Sequence, residues 1–109
     1  MDKRNFIMLL NMANPNKKLL SDLWERLKRE ADQTARPLWI DSMAAVFFIS
    51  TDLPAWKIYG CVLPINPTHE QRQAVKDVLV MELGADHCGN PESKAMAWLN
   101  SHKIQPAQT

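Results

Sequence analysis

The sequence predicts one α+β domain in which helices cover one face of a four-stranded antiparallel sheet. Three observations predict this class. Short apolar runs of strand length alternate with amphipathic segments of helical period, 109 residues suit one hydrophobic core, and 46% hydrophobic with 23% charged residues is a globular composition. We expect the domain to span residues 1–104 and residues 105–109 to form a flexible tail.

The first half of the chain predicts a strand, a helix and two more strands. The apolar run 5–12 is short for a helix and suits a strand buried on both faces. Asn14 and Pro15 then predict the start of a helix, after which leucines recur at helical spacing. The apolar runs 37–40 and 43–49 predict two short strands or one bent hairpin.

The second half of the chain adds a helix, a strand and a final helix. Thr51 or Asp52 is placed to cap a helix that ends at Pro64 and Pro67. The apolar run 78–81 predicts another central strand. Asn90, before a proline, predicts the start of a short amphipathic helix that ends near His102.

Two strand–helix–strand units placed side by side give the ferredoxin-like arrangement βαββαβ, here with an additional C-terminal helix. Both long helices then lie on one face of the antiparallel sheet, and the other face is open. Because an open sheet face commonly finds a second subunit, we expect a homodimer.

Charge and cysteine content narrow the range of functions. Thirteen Lys and Arg against twelve Asp and Glu leave a net charge of +1, so no overall field attracts nucleic acid or anionic membranes, although a local basic patch stays possible. The longest apolar stretch, 43–49, is too short to cross a bilayer. Cys61 and Cys88 lie far apart without a CxxC pair, and no signal peptide is evident, which predicts reduced thiols in a cytoplasmic protein.

Neither the histidines nor the acids have the spacing of a metal site. His87 and Cys88 are adjacent, but zinc sites need a second closely spaced pair, which the sequence lacks. The other possible partners are Cys61, His69 and His102. The acids nearest the predicted strand ends are Asp41, Asp52, Asp77 and Glu82. Structural roles are favoured for all of these residues, and no metal or cofactor is predicted.

Aromatic and basic side chains are the remaining candidates for binding. Three tryptophans fall on the apolar stripes of predicted helices and are expected in the core: Trp24, Trp56 and Trp98. Trp39, beside Arg36 on an outer strand, is placed to stack on a base or on a partner's side chain. Acids interleave with the basic residues of the first helix, so ion pairing explains most of that set, while phosphate binding by Lys17 and Lys18 stays open.

Residues 6–15 resemble the first strand and turn of the SinR-like proteins, relatives of the CRISPR-associated endonuclease of spacer integration and of the VapD toxins. In that pattern an aliphatic strand ends in Asp, a hydrophobic residue follows, and a proline comes shortly after. The resemblance covers most of the chain in order. The further matching segments are 37–39, 46–49, 50–55 and 77–83.

The resemblance implies a ferredoxin-like protomer and a symmetric dimer in which the two first-strand ends face each other. In the nuclease relatives each end carries an Asp, and the pair is proposed to hold a divalent cation. Asn11 stands at that position here, and a neutral amide lacks the charge that offsets dehydration of Mg²⁺. We therefore expect a non-catalytic homodimeric binding or scaffold module that acts through nucleic acid or protein. The candidate binding residues are Asn11, Arg36, Trp39, Lys17 and Lys18.

Two alternatives stay open. One is a metal-dependent endoribonuclease or endodeoxyribonuclease, which would use Mg²⁺ and would need carboxylates other than the family position. The other is a mobile-element protein that regulates or antagonises a host system through an exposed sheet edge.

Overall fold

The computed structural model describes residues 3–64, 66–84, 86 and 88–102. Its elements are β1 (Arg4–Met12), α1 (Lys17–Glu30), β2 (Arg36–Ile40), β3 (Ala44–Thr51), α2 (Ala55–Gly60), α3 (His69–Ala74), β4 (Val75–Glu82) and α4 (Lys94–Ser101). The strands form an antiparallel sheet in the order β2-β3-β1-β4. This order is the ferredoxin-like one, so the predicted fold is confirmed. The predicted tail, 105–109, lies outside the described residues.

Alternation along the central strand β1 separates the two faces of the sheet. Its inward side chains are almost fully buried beneath α1 and α2, where they form the main core with residues such as Leu27 and Ile58. These inward residues are Phe6, Met8, Leu10 and Met12. On the other face Leu9 is 38% exposed, so the prediction of a strand buried on both faces is wrong on that side.

α1 begins two residues after the predicted start. Its N-cap is Asn16, whose Oδ1 accepts a hydrogen bond from the Leu19 N–H at 3.0 Å, in place of Asn14. The backbone N–H of Asn16 donates to the Ser42 carbonyl at 3.2 Å. This bond holds Asn16 outside the helix. Asn14 and Pro15 belong to the turn that precedes α1.

The second crossover consists of two short helices separated by a loop. α2 has Pro54 at its N-cap with no side-chain hydrogen bond, because Thr51 belongs to β3 and Asp52 lies in the following bend. α3 begins with a capping box of Thr68 and Gln71. With only six residues, α2 buries Ile58 and leaves Trp56 63% exposed, so the predicted core position of Trp56 is wrong.

α4 lies on the sheet face opposite α1 and α2. Consecutive residues of β3 point to opposite faces, and Phe47 joins the main core while Phe48 packs against Trp98 and Leu99 of α4. The N-cap of α4 is Ser93, and not Asn90, whose side chain instead accepts a bond within the preceding turn. The additional helix therefore covers one half of the face that was expected to be open.

Candidate binding face

The half of the sheet beside α4 presents one apolar side chain from every strand, aligned in register. We call these four residues the apolar row. Across the sheet they are Trp39 on β2, Val46 on β3, Leu9 on β1 and Leu79 on β4. Trp39 and Leu79 at its two ends are 54% and 46% exposed. The row therefore crosses the sheet from edge to edge, with Trp39, Leu9 and Leu79 exposed and Val46 half-buried against the residues under α4.

An irregularity in β2 places Trp39 in this row. The register of β2 against β3 shifts between Pro37 and Trp39, so that Trp39 lies opposite Val46. Leu38, within the irregularity, packs against the cluster that Phe48 forms with Trp98 and Leu99 of α4. The neighbouring side chains Phe48 and Ile7 also lie under α4, which bounds the apolar row on that side.

Asn11 lies on the same face, one step beyond the apolar row. It is exposed, and its register partners are Ala44 on β3 and Asp77 on β4. Directly opposed residues of an antiparallel pair have Cβ atoms about 5 Å apart, so the Asn11 amide and the Asp77 carboxylate are neighbours. Asn11 is thus an amide beside one carboxylate.

The other acids near the strand ends have structural partners or lie elsewhere. Asp41 accepts the N–H groups of Met43 and Ala44 at 2.7 and 2.8 Å and so closes the β2–β3 turn. Glu82 pairs with Arg4 at 2.6 Å. Across the described residues, the search finds no group of three or more His, Cys, Asp or Glu side chains that could hold a metal ion.

Arg36 lies beside a second feature, a cleft of about 460 Å³ between the edge strand β2 and α4. We call it the β2–α4 cleft. Its walls include Arg36, Pro37 and Leu38 on β2, Lys94 and Trp98 on α4, and the C-cap His102. The sequence placed Arg36 beside Trp39, but nothing in the pattern of α4 indicated which strand it would face.

Lys17 and Lys18 lie apart from these features. They are exposed in the first turn of α1, on the helix-covered side of the sheet, whereas Asn11 is on the opposite side. The ion pairing expected on α1 is present further along, for example between Lys28 and Glu25 at 2.9 Å. None of the ion pairs found among the described residues includes Lys17 or Lys18.

Two buried polar residues that the sequence did not single out organise the connections around this face. Asp32 accepts bonds from the backbone N–H of Thr34 and of Ser50, both at 2.9 Å. Asn5 donates to the carbonyl of His102 at 2.6 Å and so ties the end of α4 to β1. An Asp two residues before a Thr is a signal of a local turn, whereas nothing in the sequence indicates the partner of Asn5.

The two cysteines are both free thiols in very different surroundings. Cys61 is buried and Cys88 is exposed. Burial raises the pKa of the Cys61 thiol, Glu30 raises it further, and Arg26 opposes them. His87, which precedes Cys88 in the sequence, lies outside the described residues.

No protein-family model, curated protein or solved structure matches the chain. Within the described part of the chain, no helix is both long and apolar enough to cross a bilayer.

Proposed function

We propose that the protein is a non-catalytic binding module that assembles as a homodimer through the uncovered half of its sheet. The observation that carries this proposal is the apolar row. Four side chains aligned across the full width of the sheet leave a contiguous apolar surface in water, and burying such a surface is the main driving force of association.

A second copy of the chain fits this surface by its shape. α4 stands on one half of the face and leaves a step beside it. A helix is about 10 Å across, which is also the spacing of two stacked sheets. A two-fold rotation therefore sets the uncovered half of one sheet on that of the other, with an α4 helix flanking the contact on each side.

The charge balance also favours a second copy over a strongly charged partner. A net charge of +1 produces little repulsion between identical chains. The four residues of the apolar row carry no charge, so the contact would bury no unpaired ion.

The non-catalytic part of the proposal rests on Asn11. Its surroundings supply one carboxylate, Asp77, and Mg²⁺ sites in nucleases are built on acidic ligands that offset the cost of removing water from the ion. One observation bears on the nuclease alternative: Asp77 already lies beside position 11, so Asn11→Asp would place two carboxylates next to each other on this face. The resemblance to SinR-like proteins favours the dimer, and Asn11 departs from the pattern of those proteins at the acid position.

Sedimentation velocity across a concentration series tests the dimer. We expect the wild type to be dimeric, and Leu9→Lys or Leu79→Lys to be monomeric, because each places a charge in the apolar row. Tyr59→Lys is the matched control, since Tyr59 on α2 is 40% exposed against 38% for Leu9 but lies on the other side of the sheet. A monomeric wild type would refute the dimer, and dissociation by Tyr59→Lys alone would place the contact on α2.

A cleavage assay tests the absence of catalysis. Labelled single- and double-stranded RNA and DNA are incubated with Mg²⁺ or Mn²⁺ and with wild type or Asn11→Asp at matched oligomeric state. We expect the wild type to be inert. Cleavage by the wild type that Asp77→Asn abolishes would overturn this part of the proposal and support the nuclease.

A further inference from the structure

We infer that the β2–α4 cleft binds the phosphate group of a nucleotide. The cleft lies beside the apolar row and shares none of its four residues, so the inference goes beyond the dimer. Its volume of about 460 Å³ is within the usual range of small-molecule sites and is larger than a phosphate alone needs.

The charge of the cleft selects an anion. Arg36 and Lys94 stand on its two walls, and none of the described residues that line it is an Asp or Glu. Both side chains belong to exposed residues, and neither takes part in the ion pairs found among the described residues. Two cations held on facing elements, with no acid between them, favour a ligand that carries more than one negative charge.

The hydroxyl groups of Thr34 and Ser101 also line the cleft, and both are already engaged, so its charged donors are Arg36 and Lys94. Thr34 Oγ1 donates to Asp32 at 2.7 Å, and Ser101 Oγ donates to the Trp98 carbonyl at 2.8 Å. A hydroxyl has a single proton to donate. The guanidinium of Arg36 matches two phosphate oxygens at once, and the Lys94 ammonium adds a point charge.

The α4 wall is held in place before any ligand arrives. The Trp98 ring contacts Phe48 edge to face at 5.2 Å and stacks on His102 at 3.9 Å between ring centroids. His102 Nδ1 lies 2.9 Å from both the Trp98 carbonyl oxygen and Ser101 Oγ, so the ring is held from within α4. Nε2 makes no hydrogen bond within the described part of the chain. Asn5 fixes the backbone of His102 from the sheet.

The apolar part of the lining indicates that the ligand is more than an inorganic ion. Pro37 and Leu38 form the strand side of the cleft next to Arg36. A flat heterocycle lies well against such a surface, while its phosphate reaches Arg36 and Lys94. A nucleotide combines these two parts.

Isothermal titration calorimetry at constant ionic strength tests the inference, with adenosine 5′-monophosphate, inorganic phosphate and adenosine as probes. We expect the monophosphate to bind more tightly than phosphate, and adenosine to bind least. Arg36→Gln and Lys94→Gln should each weaken monophosphate binding about tenfold or more. Lys57→Gln, which removes an exposed lysine on α2, on the other side of the sheet, should leave binding unchanged.

Three results would overturn the inference: no binding of the monophosphate, equal affinity for monophosphate and phosphate, or equal weakening by Lys57→Gln. Circular dichroism of each variant verifies that it is folded. Leu9→Lys changes the apolar row and none of the cleft residues, so monophosphate binding by a monomeric Leu9→Lys protein would separate this inference from the dimer. Loss of the dimer alone and loss of the phosphate site alone are then distinguishable results.

Discussion

Replacing Asp32 by alanine should destabilise the protein more than any comparable change to an exposed acid. Asp32 is 7% exposed and lies between the end of α1 and the start of β2. One carboxylate oxygen accepts from the N–H and the hydroxyl of Thr34, and the other accepts from the N–H of Ser50 near the end of β3. The side chain therefore joins a local turn to a distant strand.

The size of the loss in unfolding free energy depends on whether water can replace the carboxylate as the acceptor for each donor. Thr34 is exposed, so water replaces most of what its two donors lose, at about 0.5 kcal/mol each. The Ser50 N–H is partly buried, and leaving it without an acceptor costs about 2 kcal/mol. We expect Asp32→Ala to lower the free energy of unfolding by about 3 kcal/mol, which for a chain of this size lowers Tm by about 12 °C.

Asp41→Ala is the matched control. Asp41 also accepts two backbone N–H groups close to it in sequence, but it is exposed and makes no hydrogen bond to a distant strand among the described contacts. Its loss should cost about 1 kcal/mol. Asp32→Asn, which keeps one acceptor oxygen, should fall between the two alanine variants.

Urea unfolding followed by circular dichroism measures all three variants, with the m-value as a check that the unfolded state is unchanged. If Asp32→Ala costs no more than Asp41→Ala, the connection to Ser50 does not contribute to stability and the reasoning is refuted. If Asp32→Ala does not fold, the comparison of Asp32→Asn with Asp41→Ala decides the question, since the reasoning still requires the larger loss for Asp32→Asn.

Three further predictions concern the core, the attachment of α4 and the thiols. Leu27→Ala, at a fully buried position of α1, should lower the free energy of unfolding by about 3 kcal/mol in urea titrations, and a loss under about 1 kcal/mol would contradict the packing described. Asn5→Ala removes the donor to the His102 carbonyl and should speed hydrogen exchange in α4 more than in α1; equal protection in both proteins would show that this bond is dispensable. Burial raises the pKa of Cys61 above its ordinary 9.0, so the contribution of this thiol to the free energy of unfolding is present below pH 9 and is lost as pH rises further. Cys61→Ala should flatten that decline in stability. An aromatic disulfide reagent at pH 8 should label the exposed Cys88 before the buried Cys61.

The order of strands and helices could be predicted from the sequence because it depends on local patterns. Run length and apolar period identify β1 and α1, and the ferredoxin-like arrangement is a compact way to connect the two strand–helix–strand units. Helix boundaries were less accurate, because the N-cap of α1 is chosen by a bond from Asn16 to Ser42, which is distant in sequence.

The candidate site could be predicted only in part. The pattern of α4 shows which of its sides is apolar, but not which face of the sheet receives it, since that depends on two consecutive aromatic residues of β3 being buried on opposite faces. The alignment of Trp39 with Val46 depends on the irregularity in β2, which has no signal in the apolar pattern. Asn11 was singled out through the resemblance to SinR-like proteins and Arg36 through its position beside Trp39, whereas their neighbours Asp77 and Lys94 come from tertiary structure.

The interruption of β2 at Pro37 also limits how copies of this chain can polymerise. The sheet has two outer strands, β2 and β4. β2 has five residues, a register shift and a proline without an N–H to offer, which makes it a poor template for another strand, whereas β4 has eight residues and no proline. Growth by strand addition needs an acceptor at both borders of the sheet. Since β2 is the poorer border, we expect strand addition to be disfavoured beyond a pair of chains joined through β4.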